Sequence, residues 1–362
     1  MKTFRCSSCG GIAFFDDTVC VACGHRLAFA PERRDMVALA PASDDAWRIV
    51  GDAQGTTVRL CRNVGELACN QVLHPGAPPG LCNACLLTRT IPNLDRPGHR
   101  EAWGRLERTK RRLLWTLQGL GLQWRSREED PEHGLVFEFL SDADLPDGER
   151  ASTGHTEGHI VINADEADDA VLARQRQDLR EPYRTLIGHL RHEAGHYYWN
   201  VLIRDRGREE AFRTLFGDEG VDYAESLRNY YGRERPADWR EHYISEYATM
   251  HPWEDWAESF AHYLHMVDGV ETGLDLAVAL APRNEVLPAL DLGGGGDVTA
   301  LAFDELLRSW GGLSIALNQF NRGMGVHDAY PFAPSVAALE KIRFVDQEVR
   351  AARSAGKGGG RA

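Results

Sequence analysis

All eight cysteines of this chain lie within its first 85 residues, although the chain has 362 residues. Four of them form two Cys-x-x-Cys pairs, a spacing that places thiolates on tight turns and is typical of a tetrahedral zinc site. The other four predict a second four-thiolate site, in which one pair is spaced irregularly and His74 is a substitute ligand. The two sets are Cys6, Cys9, Cys20 and Cys23, and Cys61, Cys69, Cys82 and Cys85.

Disulfide bonds are the alternative use of these cysteines. The Cys-x-x-Cys spacing and the absence of an apolar secretory segment at the N-terminus both favour zinc. A zinc ion held by four thiolates has no position left for water, so both sites are expected to be structural and to fold segments with little core of their own.

The charge distribution limits the partners of this chain. The formal net charge is −13, and most of the acidic excess lies beyond residue 120. An acidic body argues against wrapping nucleic acid. The basic stretch from Arg105 to Arg112 is the one candidate patch, with a solvated helix face as its alternative. Without a secretory segment or an apolar run long enough to span a bilayer, we expect a soluble cytoplasmic protein without membrane association.

His192, Glu193 and His196 form the pattern His-Glu-x-x-His. We predict a helix over about 181–204, with Pro182 in its first turn. Residues four apart share one face of a helix, so the two imidazoles can bind one zinc ion while Glu193 serves as general base toward a water. Gly195 inside this helix costs about 1 kcal/mol relative to Ala, which predicts close backbone approach of another element.

A zinc ion on two histidines needs a third protein ligand. The pattern with a third His six residues beyond the motif is excluded, because Leu202 stands there and Trp199 replaces the expected Gly. The best candidate region is 247–263, where Pro252 suits a helix start. Glu254, Glu258 and His262 form one polar stripe on this mostly apolar helix, and a nearby metal would offset the cost of burying them. A solvated acidic face is the alternative.

The metal helix followed by a Glu-bearing helix resembles the gluzincin metallopeptidases, and its Tyr and acid spacing resembles anthrax lethal factor and its bacterial relatives. Segments 192–199, 251–265 and 321–332 resemble a bacterial family of zinc peptidases that begin with zinc-ribbon cysteines. The resemblance implies that Glu254 binds zinc, that Glu258 orients a ligating His, and that Tyr247 stabilises the oxyanion. Glu258 as the direct ligand remains the alternative.

The resulting fold class is α+β, a mainly helical zincin-like domain with a small sheet, preceded by two small zinc-ribbon modules. The expected elements include a helix over 99–119, strands over 135–140 and 159–163, an irregular loop over 317–332 that caps the cleft, and a final helix over about 335–353. The second of these strands is expected to line the substrate cleft with its free edge. The expected domains are a zinc ribbon at 1–28, a linker at 29–46, a second zinc-bound module at 47–97, a peptidase domain at 98–353 and a disordered tail at 354–362.

The expected function is a zinc metallopeptidase acting on a protein or peptide, with one catalytic and two structural Zn2+ ions. His251 is a second choice for oxyanion donor. The alternatives are a nucleic-acid or protein-binding module on a non-catalytic scaffold, and a zinc amidase acting on something other than protein. The ribbons are candidates for recruiting a partner protein. Four further residues are candidates for lining the cleft: His242, Tyr243, His262 and His265.

Overall fold

The computed structural model describes residues 2–43, 45–66, 68–179, 185–232, 236–283 and 289–358. Its contacts divide the chain into two compact units. The first comprises 1–112, 136–152 and 161–167, and the second comprises 113–135, 153–160 and 168–362. Within the described ranges, no helix is both long and apolar enough to cross a membrane.

The first unit contains two antiparallel sheets. A two-stranded sheet joins β1 to β2, and a four-stranded sheet has the order β3-β4-β5-β6. The four-stranded sheet buries a small aliphatic core that includes Val37, Leu39 and Ile49. The strands are β1 Phe4–Arg5, β2 Ile12–Ala13, β3 Arg26–Ala30, β4 Asp35–Ser43, β5 Ala46–Ile49 and β6 Thr57–Val58.

The predicted linker at 29–46 is wrong, because most of it is strand. Residues Met36 to Leu39 are buried in β4, and the alternation of Pro and Ala with charged residues hides this short apolar run. Pro41 lies beside an irregularity in the β4–β5 pairing, where a residue without an N–H is tolerated. The two cysteine sets therefore do not belong to modules joined by a free linker.

The chain continues through a short helix and strand into a long helix and a second four-stranded sheet, whose order is β7-β8-β10-β9. β7 pairs with β8 in parallel. The helix at 99–119 and the strands at 135–140 and 159–163 are confirmed to within one residue. The elements are α1 Asn83–Leu86, β7 Thr88–Thr90, α2 His99–Gly119, β8 Val136–Leu140, β9 Gly154–Thr156 and β10 His159–Asn163.

The remainder of the second unit is mainly helical, with α8 packed against α4, α9 and α10. Short 3₁₀ turns connect several elements, among them Tyr247–Thr249 before α8. The elements are α3 Asp169–Leu179, α4 Leu186–Leu202, α5 Glu209–Phe216, α6 Tyr223–Gly232, α7 Trp239–His242, α8 Pro252–Asp275, β11 Ala279–Leu280, β12 Leu290–Asp291, α9 Phe303–Gly323 and α10 Val336–Gly358.

Two predictions near the C-terminus need correction. The expected irregular loop at 317–332 begins only after Gly323, because α9 continues to that residue. The expected disordered tail from 354 is wrong up to Gly358, where α10 ends. Residues 359–362 lie outside the described residues.

Candidate active site

The cysteines form two compact clusters in the first unit. In the first cluster, Cys6 Sγ lies 3.8 Å from Cys23 Sγ and Cys9 Sγ lies 3.7 Å from Cys20 Sγ. A regular tetrahedron with Zn–S bonds of about 2.3 Å has sulfur separations of about 3.8 Å. All eight cysteines are described, and none forms a disulfide. The clusters therefore have the dimensions of closed zinc sites.

The second cluster consists of Cys61, Cys69, Cys82 and Cys85, all of them buried. Cys69 Sγ lies 3.7 Å from Cys82 Sγ, and the Cys82 amide donates to Cys61 Sγ. His74 is not a substitute ligand: its side chain is 71% exposed and pairs with Glu32 at 3.1 Å.

The basic stretch at 105–112 is only partly a solvated face. Lys110 is fully buried and pairs with Glu107 at 2.9 Å. Arg111 is also buried and donates to the Ala68 carbonyl. These two cations therefore lie against the second cysteine module and are not available to nucleic-acid phosphates.

The helix α4 carries the His-Glu-x-x-His motif and begins later than predicted. Thr185 is its N-cap, and the Thr185 hydroxyl accepts a hydrogen bond from the Gly188 amide at 3.0 Å. A side-chain cap of this kind satisfies an amide that has no partner within the helix. The predicted start at 181, with Pro182 in the first turn, lies outside the described residues.

The helix α8 begins at Pro252 as predicted. His251 is its N-cap, where Nδ1 accepts from the Trp253 amide at 3.1 Å and Nε2 donates to the Val221 carbonyl at 3.1 Å. Both ring nitrogens are thus engaged in buried hydrogen bonds, so His251 is not an oxyanion donor. Glu254 lies in the first turn, where the partial positive charge of the helix N-terminus favours a carboxylate.

Close packing of α4 on α8 brings the motif to the carboxylates. A Cβ added at Gly195 would lie 2.9 Å from Ala257 Cα, so the expectation of close backbone approach is confirmed. The Trp256 indole also donates to the Gly195 carbonyl at 2.9 Å. The absent side chain at this position lets the two helix backbones approach closely.

Gly195→Ala is expected to destabilise the protein by about 1–3 kcal/mol, because the added methyl overpacks the helix contact. Gly311→Ala is the matched control, since Gly311 also lies within a helix but its added Cβ meets nothing within 4 Å. The control is expected to be neutral or to stabilise by up to about 1 kcal/mol. Denaturant unfolding measures both, and equal effects of the two changes would contradict the packing argument.

His192, His196 and Glu254 come together as a buried group of three donors. His192 Nε2 lies 3.0 Å from Glu254 Oε2, and His196 Nε2 lies 3.4 Å from Glu254 Oε1. One donor atom from each residue falls within 4.8 Å of the others. Two imidazoles and one carboxylate are a donor set that suits zinc with a coordination position left open.

Glu258 and Glu193 flank this group on different sides. Glu258 Oε1 lies 2.7 Å from His192 Nδ1, the ring nitrogen on the far side from Glu254. Glu193 Oε1 lies 3.3 Å from His189 Nε2, whereas its Oε2 is buried and has no hydrogen-bond partner. A buried carboxylate oxygen without a hydrogen-bond partner lowers the stability of a folded protein, and its presence here indicates a functional role.

The electrostatics favour ionised carboxylates in this buried site. Burial opposes ionisation of Glu254, but the charge of His196 and hydrogen bonding to His192 hold its pKa well below the usual value. Burial likewise opposes ionisation of Glu258, yet His192 lowers its pKa to about 2. The pKa of Glu193 is lowered despite burial, mainly through its hydrogen bond with His189. At neutral pH all three side chains can accept protons or bind cations.

Tyr247 lies beside the group, with its ring centroid 5.9 Å from that of His192. Tyr223 also reaches this group, where its hydroxyl donates to Glu254 Oε1 at 2.9 Å. Burial and the charge of Glu254 raise the pKa of both phenols, so both remain protonated donors. Tyr223 was not predicted: it lies on α6, and no sequence spacing relates it to the motif.

The strand β9 is the terminal strand of its sheet, whereas β10 lies between β8 and β9. The expectation that 159–163 presents a free edge is therefore wrong, because β9 is the edge strand on that side of the sheet. His155 on β9 stacks on His196 with ring centroids 5.9 Å apart, and burial lowers its pKa to about 3. Trp253 packs against both histidines.

A cleft of about 540 Å3 in the second unit opens onto this site. His192, Glu193, Tyr247 and Glu258 contribute to its lining. Of the four further candidates, Tyr243 and His262 line it, and burial lowers the pKa of His262 to about 4, which keeps its ring neutral. His242 and His265 are not among its lining residues: His242 is exposed, and His265 packs against Trp310 and Tyr330.

Comparison with known proteins gives a consistent result. Residues 99–348 match the family described as "Putative zinc-binding metallo-peptidase", and residues 3–96 match a zinc-ribbon domain. Proteins of Mycobacterium bovis and of two strains of Mycobacterium tuberculosis, each named as uncharacterized, are 37% identical over 346 residues. The match covers 95% of this chain and 94% of each relative. No solved structure matches the chain.

The family region contains both α4 and α8, which supply the buried donors, and the zinc-ribbon region contains all eight cysteines. The match spans well over half of the chain. The chain is therefore a member of the zinc-binding metallopeptidase family, with a zinc-ribbon domain preceding the family region.

Proposed function

We propose that the protein is a zinc-dependent peptidase that hydrolyses peptide bonds at the α4–α8 site of a zincin-like domain. The observation that carries the proposal is the combination of His192, His196 and Glu254 with the unpartnered carboxylate oxygen of Glu193. A scaffold without chemistry would not need a buried base beside a metal-binding group. The substrate is a protein or peptide, and the two cysteine clusters hold structural zinc.

The residues fit a zinc ion by their chemistry. Three buried donors of the types zinc prefers converge within bonding reach of one position, and the donor set is incomplete by one ligand. When bound there, zinc supplies Lewis-acid chemistry that makes a water nucleophilic near neutral pH and polarises a carbonyl. Glu258 holds the His192 ring through Nδ1, which directs Nε2 toward the metal position.

Glu193 acts as the general base and acid. Its ionised carboxylate takes a proton from the attacking water and then returns one to the leaving amine. Tyr247 donates its hydroxyl hydrogen to the developing oxyanion of the substrate. Tyr223 donates its hydroxyl hydrogen to Glu254 Oε1 and helps to position that carboxylate.

Glu254→Ala is expected to abolish hydrolysis and to remove the zinc ion that the histidines share, because a direct ligand is lost. Glu258→Ala is the matched comparison one helical turn away. It is expected to retain that zinc with affinity about 10- to 100-fold weaker, because only the support of His192 is lost. Competition with a chelator of known affinity measures the zinc, and peptide cleavage measures activity.

The reverse result would identify Glu258 as the direct ligand. Loss of zinc in Glu258→Ala, with retention in Glu254→Ala, would contradict the ligand assignment but leave the peptidase proposal intact. Zinc-loaded wild-type protein that cleaves no peptide in a diverse library would contradict the peptidase proposal itself.

A further inference from the structure

The cleft extends away from the metal-binding group in one direction along two helices. Contacts between Gly195 and Ala257 and between His192 and Glu258 show that α4 and α8 run antiparallel. His189 on α4 and Ala261 on α8 therefore lie on the same side of the group, about one helical turn from it. Both line the cleft. They form a floor that continues directly from Glu193 and the metal position.

Aromatic rings form much of the wall above this floor. Tyr230, Trp239, Tyr243 and Phe332 line the cleft together with Tyr247. Several of these rings are held by packing: Tyr230 lies 5.6 Å from Tyr247, and the Lys341 ammonium lies 4.2 Å from the Tyr243 ring. Phe332 packs edge-on against the His262 ring at 4.5 Å. Rings fixed in this way present a preformed aromatic surface.

The carboxylates of Glu193 and Glu258 line the floor but belong to the metal site, and the rest of the floor offers little to attract a charged side chain. Glu258 is engaged by His192 at 2.7 Å. His262 is neutral, and its Nδ1 lies 2.7 Å from the Tyr330 hydroxyl. Beyond the metal site and the histidines His189 and His262, the acidic and basic lining residues in the described part of the chain are Glu246 and Arg240, which have opposite charges. The aromatic rings and the balanced charges of the lining thus favour an uncharged aromatic occupant over a cation or an anion.

We propose that this cleft binds a large aromatic side chain of the substrate, next to the bond that is cut. The proposal rests on the peptidase function and adds the side-chain class that the enzyme selects. A flat ring can stack or pack edge-on against the fixed aromatic walls, and the absence of a long side chain at Ala261 leaves it room. A volume of about 540 Å3 accommodates such a group together with adjoining backbone.

Binding can be separated from cleavage by using the zinc-loaded Glu193→Gln protein. Calorimetry compares an alanine pentapeptide with the same peptide carrying Phe, Lys or Glu at each position in turn. We expect one Phe position to improve Kd by roughly tenfold or more, which corresponds to burial of one aromatic side chain. A preference for Lys or Glu, or equal affinity for all peptides, would overturn the proposal.

Variants of the cleft test its location. Ala261→Leu fills the floor and Phe332→Ala removes a wall, so each is expected to reduce the Phe-to-Ala affinity ratio by at least about fivefold. Ala351→Leu on the exposed face of α10 is the matched control and should leave the ratio unchanged. An unchanged ratio in both folded cleft variants would contradict the assignment of the site.

The two proposals fail in different ways. If the protein binds aromatic peptides selectively but the wild type does not cleave them, the aromatic cleft is supported and the peptidase function is contradicted. If cleavage depends on Glu193 but shows no preference for aromatic residues, the peptidase function is supported and the aromatic cleft is contradicted.

Discussion

Replacing Glu193 with Gln is expected to lower the kcat of peptide hydrolysis by about 10²- to 10⁴-fold without changing the zinc content. The amide has nearly the shape of the carboxylate but cannot take a proton from water. Glu193 is 5% exposed and its Oε2 has no partner, so the substitution is also expected to fold. Initial rates on a peptide library and elemental analysis of zinc measure the two quantities.

Three variants distinguish the base from its neighbours. Glu225→Gln on the exposed side of α6 is the matched control and should change neither rate nor zinc content. Tyr247→Phe is expected to reduce kcat by about 10²- to 10³-fold as an oxyanion donor is lost, and Tyr223→Phe by less. Both tyrosine variants should keep the acidic limb of the pH–rate profile, whereas Glu193→Gln should lose it. Wild-type rates in Glu193→Gln would eliminate the proposed mechanism.

Cys82→Ser is expected to remove the second structural zinc ion and to unfold the segment around it. Cys82 is buried, and its amide also bonds to Cys61 Sγ. A structural zinc site contributes about 10–16 kcal/mol to folding, which is comparable to the whole stability of a domain, about 5–15 kcal/mol. The measurements are zinc content and the rate of limited proteolysis within residues 47–97.

His74→Ala is the control for this cluster. His74 is exposed and lies outside the cluster, so the variant should keep its zinc and its resistance to protease. A Cys82→Ser protein with unchanged zinc content and proteolysis would show that the second cluster is not a metal site.

Elements with regular periodicity were predictable from the sequence. The helix α2 and the strands β8 and β10 show apolar periodicity bounded by turn residues, and local pattern alone gives their limits. The hairpin β3–β4 was not predictable in the same way, because Pro41 and the surrounding charges are typical of a linker. Its strands form through non-local pairing, which a local pattern does not contain.

In the candidate site too, the sequence predicts the residues that local spacing relates but not those that only tertiary packing brings together. Spacing along one helix relates His192 to His196 and Glu254 to Glu258, so their shared faces follow from helix geometry. Tyr223 is 31 residues from Glu254, and only tertiary packing brings its hydroxyl to that carboxylate. The prediction of His251 as an oxyanion donor was wrong for a related reason. Its position before Pro252 makes it a helix N-cap, and the hydrogen bonds of this cap and of the Val221 carbonyl occupy both of its ring nitrogens.

The most direct test of the proposed catalytic zinc centre is an anomalous difference map recorded at the zinc edge from crystals of the native protein. Two structural zinc ions and one catalytic zinc ion would give one peak within each cysteine cluster and one at the group formed by His192, His196 and Glu254. The last peak should lie about 2.0–2.1 Å from the Nε2 atoms of both histidines. Peaks at the cysteine clusters alone, in crystals grown with zinc present, would contradict the assignment of a catalytic metal centre.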